Sequence, residues 1–150
     1  MRKPLVAAAL LVAACGLIPG GSKNPAPLRV EVEAAARLNP DEQGESLPTT
    51  VRVYQLASAG KARDVELVDL LRDPKAALGT DVLGVADLVV QPGGRAAQTL
   101  ERDKGTRAVL VAALVRRPAG GTWRDVVDLP SPGRAADLAF ALREYRLERR

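Results

Sequence analysis

The stretch Leu28-Arg29-Val30-Glu31-Val32-Glu33-Ala34 alternates apolar and charged side chains without a break. A period of two puts Leu28, Val30, Val32 and Ala34 on one face and Arg29, Glu31 and Glu33 on the other, the pattern of a strand with one wet face. Working outward, the same β character returns in short runs separated by turns. Thr49-Thr50-Val51-Arg52-Val53-Tyr54-Gln55-Leu56 is a second β-prone run, and Asp87–Gln91, Ala96–Glu101, Arg107–Val115 and Trp123–Leu129 continue the series. Gln91-Pro92-Gly93-Gly94-Arg95 reads as a tight turn. Ala108 to Val115 is apolar at every position, so both of its faces should be covered and it is expected to be a central strand. Short strands punctuated by turns predict an all-β sandwich or barrel over residues 28–150.

Two segments depart from this pattern. Val65, Leu67, Val68, Leu70 and Leu71 recur at helical spacing, with Asp64 placed to cap the first turn and Asp73-Pro74 to stop it. This predicts one short helix of about two to three turns inserted between strands. In the C-terminal DLAFALREYRLERR, Leu138, Ala141, Leu142 and Tyr145 would line a helix, whereas Leu138, Phe140 and Leu142 would line a strand. Periodicity leaves both open.

The N-terminus carries a different signal. Met1-Arg2-Lys3 is a positive head, Leu5 to Ala14 is an apolar run, and the small residues Ala13 and Ala14 precede Cys15, the single cysteine. A charged head, an apolar run of about 7–15 residues and a small-residue cleavage site make a secretory signal. The run is too short to cross a bilayer, which takes roughly 20 apolar residues. A lone cysteine in an exported chain needs an explanation. Leu11-Val12-Ala13-Ala14-Cys15 resembles the lipobox of bacterial lipoproteins, in which cleavage before the cysteine follows attachment of a diacylglycerol to its thiol. The expectation is therefore a signal peptide over 1–14, cleavage between Ala14 and Cys15, and lipid on Cys15. Each buried methylene contributes about 0.8 kcal/mol and one acyl chain alone binds marginally, so the two or three chains of a lipoprotein make a stable anchor. Gly16, rather than Asp, follows the cysteine, which by the same resemblance favours the outer membrane. Residues 15–27, rich in Gly, Pro, Ser and Asn, read as the lipidated cysteine and a flexible tether.

Composition excludes several functions. Losing Arg2 and Lys3 with the signal segment lowers the formal charge from +4 to +2, and aromatic residues make up only 3%, which argues against a nucleic-acid surface. Without histidine, and with Cys15 committed to lipid, zinc, haem and iron–sulfur sites lack their usual ligands. Ser-His-Asp and Cys-His catalysis are excluded for the same reason. No metal site, cofactor or small-molecule substrate is expected beyond the covalent lipid.

Leu38-Asn39-Pro40, a polar loop with Gly44 and Ser46, then Pro48 and Val51-Arg52-Val53-Tyr54-Gln55-Leu56, resemble the TssJ (VasD/SciN-like) family of type VI secretion outer-membrane lipoproteins. Leu70-Leu71, Leu78-Gly79-Thr80-Asp81-Val82-Leu83, Val90-Gln91-Pro92-Gly93, Val109 to Val115 and Trp123-Arg124-Asp125-Val126-Val127 follow in the family's order. The resemblance implies a two-sheet β-sandwich of transthyretin-like topology with a short inserted helix. It implies two C-terminal strands, Asp137–Leu142 and Tyr145–Arg149, turning at Arg143-Glu144. It also implies no enzymatic activity, location on the periplasmic face of the outer membrane, and docking to the periplasmic domain of the inner-membrane protein TssM, hence indirectly to a TssL-like protein. The docking loop of the family maps onto Leu38, Asn39, Pro40, Asp41, Glu42, Gln43, Gly44, Glu45, Ser46 and Leu47. Donors, acceptors and three carboxylates fill this loop, and Pro40 and Pro48 stiffen its ends, lowering the entropy lost on docking. A second reading, from the sandwich alone, is a lipoprotein that holds a small ligand or envelope polymer in a cleft; a large apolar pocket would favour it.

Other constellations have plain explanations. Glu31 and Glu33 on one strand face read as its wet side. Asp125 and Asp128 would face opposite ways on a strand, which argues against a shared metal. Trp123 is expected to pack the rim of the core rather than anchor an interface, and Gly93-Gly94 and Gly120-Gly121 read as turn glycines. The family's inserted helix usually bears aromatics, absent from DVELVDLLRD. Arg143, Arg146, Arg149 and Arg150 are expected to keep an edge strand soluble, with anionic lipid heads or lipopolysaccharide phosphates as the alternative partner.

Overall fold

The computed structural model describes residues 26–131 and 133–150. The signal segment, Ala14, Cys15 and the tether up to residue 25 lie outside the described residues. Among the described residues, eight strands form two four-stranded sheets. One holds β1 (Pro27–Leu38), β4 (Arg95–Glu101), β7 (Ala136–Glu144) and β8 (Arg146–Arg149) in the order β4-β1-β7-β8. The other holds β2 (Thr49–Leu56), β3 (Val82–Val90), β5 (Ala108–Ala113) and β6 (Arg124–Asp128) in the order β3-β2-β5-β6. Among the described residues, β1 and β7 alone pair in parallel.

The alternation in β1 works as its sequence demands. Leu28, Val30 and Val32 are fully buried, while the charged face between them meets water. Their parallel partners Ala136, Leu138 and Phe140 are buried in register, so the C-terminal segment is a strand rather than a helix. Its turn falls at Tyr145, one residue beyond the expected Arg143-Glu144. All six residues of β5 are buried, and the strand lies inside its sheet between β2 and β6.

The helical insertion differs from the single helix the periodicity predicts. It is three short helices, α1 (Gly60–Asp64), α2 (Leu67–Arg72) and α3 (Pro74–Leu78), closed by a 3₁₀ turn at Gly79–Asp81. Asp64 ends α1 instead of capping a helix, because Val65 is extended and breaks the run. Asp73-Pro74 does stop α2, but it also starts α3. The Asp73 carboxylate accepts from the Lys75 and Ala76 amides at 3.0 and 3.1 Å, and Pro74 takes the first helical position, where no amide is needed. Strand β3 starts at Val82, five residues before the expected Asp87, because Gly84 and exposed Leu83 and Val85 hide its alternation. Trp123 is fully buried, deeper than the rim position expected.

Strand directions sort the connections into two ends. One end gathers the start of β1, the helical insertion, and the links 102–107 and 129–135. Gln55 stitches this end by accepting from the Asp103 amide and the Thr106 hydroxyl, both at 2.9 Å. Buried Arg102 donates to the carbonyls of Thr106, Pro130, Ser131 and Arg134. The opposite end gathers the β1–β2 loop, the β3–β4 turn, the β5–β6 loop and the β7–β8 turn. It lies about 30 Å along β1 from the point where the chain enters the sandwich.

Candidate functional site

The β1–β2 loop is built from its base outward. Between Ala34 and Leu38 the register against β7 slips, so β1 bulges before it leaves the sheet. The β3–β4 turn braces this bulge: Ala34 donates to the Gly94 carbonyl at 2.8 Å, and the Gly93 amide donates to Ala35 at 3.0 Å. Asn39 then takes a left-handed backbone with φ 43°, which asparagine tolerates better than most residues. Its amide donates to the Glu144 carbonyl at 2.8 Å, and its side-chain oxygen accepts from the Arg116 amide at 2.8 Å. Glu144, also left-handed at φ 48°, takes the Arg37 guanidinium on its carboxylate at 2.6 Å. The Tyr145 hydroxyl donates to the Pro40 carbonyl at 2.6 Å. Two non-glycine residues of positive φ thus meet at the base of one loop, the kind of local strain that concentrates at functional positions.

Beyond Pro40 the loop closes on itself. The Asp41 carboxylate accepts from the Gln43 and Glu45 amides, both at 2.9 Å, and the Asp41 amide donates to the Glu45 carbonyl at 2.9 Å. Gly44 holds φ +87°, where a side chain would be strained. Ser46 accepts from the Leu38 amide at 3.2 Å, and the Leu47 amide donates to the Leu38 carbonyl at 2.9 Å. Among the ten loop residues, Leu38, Asn39 and Pro40 are buried, whereas Glu42, Gln43, Gly44 and Glu45 are exposed. The loop therefore does not offer all its polar groups outward, as its composition suggests. Asn39, Asp41 and Ser46 hold its shape, and Glu42, Gln43 and Glu45 form a rigid acidic tip. Hydrogen bonds from distant elements, more than the two prolines, fix it.

Arg37, Arg116, Glu144 and Tyr145 are the supporting residues that sequence reasoning misses. The signal for Tyr145 is its place at the turn of the C-terminal hairpin; the others carry none that a single chain displays. Several carboxylates outside the loop form ion pairs. Arg95 and Arg150 both engage Glu33, and hold its carboxyl below the usual carboxylate range, Arg150 foremost. Asp125 pairs with Arg149, and Asp128 with Arg63, each at 2.8 Å. Among the described residues no group of three His, Cys, Asp or Glu side chains could hold a metal ion, and no helix is long and apolar enough to cross a membrane.

The model of the family described as "Type VI secretion lipoprotein, VasD, EvfM, TssJ, VC_A0113" matches residues 26–145. The chain belongs to this family of type VI secretion lipoproteins. The match spans the whole sandwich up to the Tyr145 turn. The structure is similar to the lipoprotein TssJ1 from Pseudomonas aeruginosa, with TM-score 0.75 and 25% identity over 84% of this chain and 95% of that one. It is similar to Serratia marcescens Lip, a membrane-bound component of the type VI secretion system, with TM-score 0.75 and 21% identity over 84% and 98%. A chain in the structure of the T6SS protein TssM C-terminal domain (869-1107) from EAEC shares the fold as well, with TM-score 0.69 and 23% identity over 83% and 97%. No curated protein matches the chain in sequence. Membership makes this a type VI secretion lipoprotein, a family of secretion components rather than of enzymes, and its two-sheet sandwich is the fold of TssJ1.

Proposed function

We propose that this lipoprotein fixes the type VI membrane complex to the outer membrane. Lipid on Cys15 holds it to the periplasmic face, and the loop at 38–47 docks the periplasmic domain of a TssM-like inner-membrane protein, through which a TssL-like protein is joined indirectly. The observation that carries this reading is the build of the loop. Its first residues, Leu38 to Pro40, are buried and bonded to β7, the β7–β8 turn and the β5–β6 loop, so Glu42, Gln43 and Glu45 are held ready with little ordering left to lose on binding. The loop also stands at the end of the sandwich opposite the tether, where a partner reaching from the inner membrane arrives first. Anchoring confines the domain to a thin layer and raises its effective concentration near that partner. No bond is made or broken in this role.

The cleft-binding reading finds less support. Four surface depressions among the described residues, of about 270–430 Å³, are open, and charged side chains line each of them. An apolar ligand site would be concave and mostly hydrophobic. The test of docking is Glu42→Lys/Glu45→Lys, which alters only exposed tip residues. The variant is expected to fold normally and to lose co-purification with the TssM-like periplasmic domain. Undiminished co-purification would move the contact elsewhere.

A further inference from the structure

Next to the loop lies a depression of about 320 Å³ into which Arg117, Arg143 and Arg146 converge, with Tyr145 as its wall. Arg117 and Arg143 are exposed and have no ion pair among the described residues, while Arg146 reaches Glu148 only at 3.9 Å. The other carboxylate on the rim, Glu144, is taken by Arg37. The walls are preformed. The Leu147 amide donates to the Thr122 carbonyl at 2.8 Å, which ties the β5–β6 loop to β8, and Tyr145 and Glu144 are the residues that hold Pro40 and Asn39. The basic depression thus adjoins the base of the loop that carries the acidic tip of Glu42 and Glu45.

We propose that this depression receives carboxylate side chains of the docking partner, as a second contact beside the 38–47 loop; the inference rests on the docking role proposed above. Two observations choose a protein segment over an anionic lipid head. The depression sits at the end of the sandwich opposite the start of β1, and the proposed lipid site precedes that start by only twelve residues of sequence. It is also continuous with the loop through Tyr145 and Glu144, so a partner seated on the tip overhangs it. A surface that is negative on one side and positive on the other admits a partner in one orientation, because the reversed docking juxtaposes like charges.

The test titrates the purified periplasmic domain of the TssM-like protein against the full chain in detergent, at low and at physiological ionic strength. The wild-type affinity is expected to weaken as salt rises. Arg117→Glu/Arg143→Glu, at exposed positions, is expected to keep its thermal midpoint, to bind about tenfold more weakly or worse, and to lose most of the salt dependence. Lysine at both positions is expected to retain binding. Undiminished affinity in the folded Glu variant, with binding lost in Glu42→Lys/Glu45→Lys, would overturn the inference and leave loop docking standing. Full affinity in both variants would overturn both readings. A Glu variant that releases from phosphatidylglycerol vesicles yet binds the periplasmic domain normally would make this a lipid site and overturn the proposal.

Discussion

Asn39 joins three elements through one residue. Its amide reaches Glu144 of β7, its side-chain oxygen caps the Arg116 amide after β5, and its left-handed backbone turns the chain out of β1. Alanine at this position would keep the strained backbone and leave the Arg116 amide without its partner. Left-handed φ costs an ordinary residue about 1–2 kcal/mol, and an unsatisfied amide about 1–3 kcal/mol when fully buried. Asn39→Ala is therefore expected to lower stability by about 1–3 kcal/mol in urea denaturation and to speed hydrogen exchange at the Arg116 amide. Asn39→Gly relieves the backbone but not the amide, and is expected to recover only part of the loss. Equal stabilities of Ala and wild type would show that neither contribution matters. The same residue explains what the sequence hides at the site. The loop is conspicuous because prolines and carboxylates cluster there, but its partners Arg116 and Tyr145 are 77 and 105 residues from the groups they meet. Local composition reveals that a polar loop exists and not which of its polar groups face inward.

At the scale of the element, legibility follows how a strand is covered. β1 has one wet face and β5 none, and each announces itself, by strict alternation or by an unbroken apolar run. β3 is an edge strand whose burial alternates, but its exposed face carries Leu83, Val85 and Val89, so the sequence shows no alternation of polar and apolar residues. The helical insertion is divided because Val65 adopts an extended conformation, a tertiary choice that helical spacing alone does not register. On β3 the one charged side chain, Asp87, faces Arg52 of β2, which donates to it twice, at 2.7 and 2.8 Å. Arg52 holds the Asp87 carboxyl below its ordinary pKa of 3.8. A carboxyl depressed in the folded state adds stability above its unfolded pKa, and that contribution is lost as pH falls through the folded one. Both partners are partly exposed, so the pair is worth about 0.5–1 kcal/mol rather than more. Asp87→Asn is thus expected to be less stable than wild type by about that amount at pH 7, with the gap closing as pH falls below 3.8. A gap that stays constant from pH 7 to pH 2 in thermal denaturation would mean that the carboxylate's charge is not its source.

The whole molecule has two unlike ends, and the proposed role uses both. The start of β1, at Pro27, is twelve residues from Cys15. In the proposed role, lipid on Cys15 would tie this end of the sandwich to the bilayer. The loop and the arginine depression project from the other end, where neither depends on the lipid for its shape. Attachment and recognition should therefore separate in a single substitution. Cys15→Ser removes the thiol that would take the diacylglycerol, and cleavage before residue 15 should fail with it. The variant is expected to persist as a longer precursor, to take up no labelled palmitate, and to leave the outer-membrane fraction on a density gradient, with secretion lost. Its folded sandwich is nevertheless expected to bind the TssM-like periplasmic domain with wild-type affinity when purified in detergent. Palmitate on that variant would refute lipidation at Cys15. Loss of partner binding in a folded variant would mean that the lipid-bearing end takes part in recognition, and that the two ends are not independent.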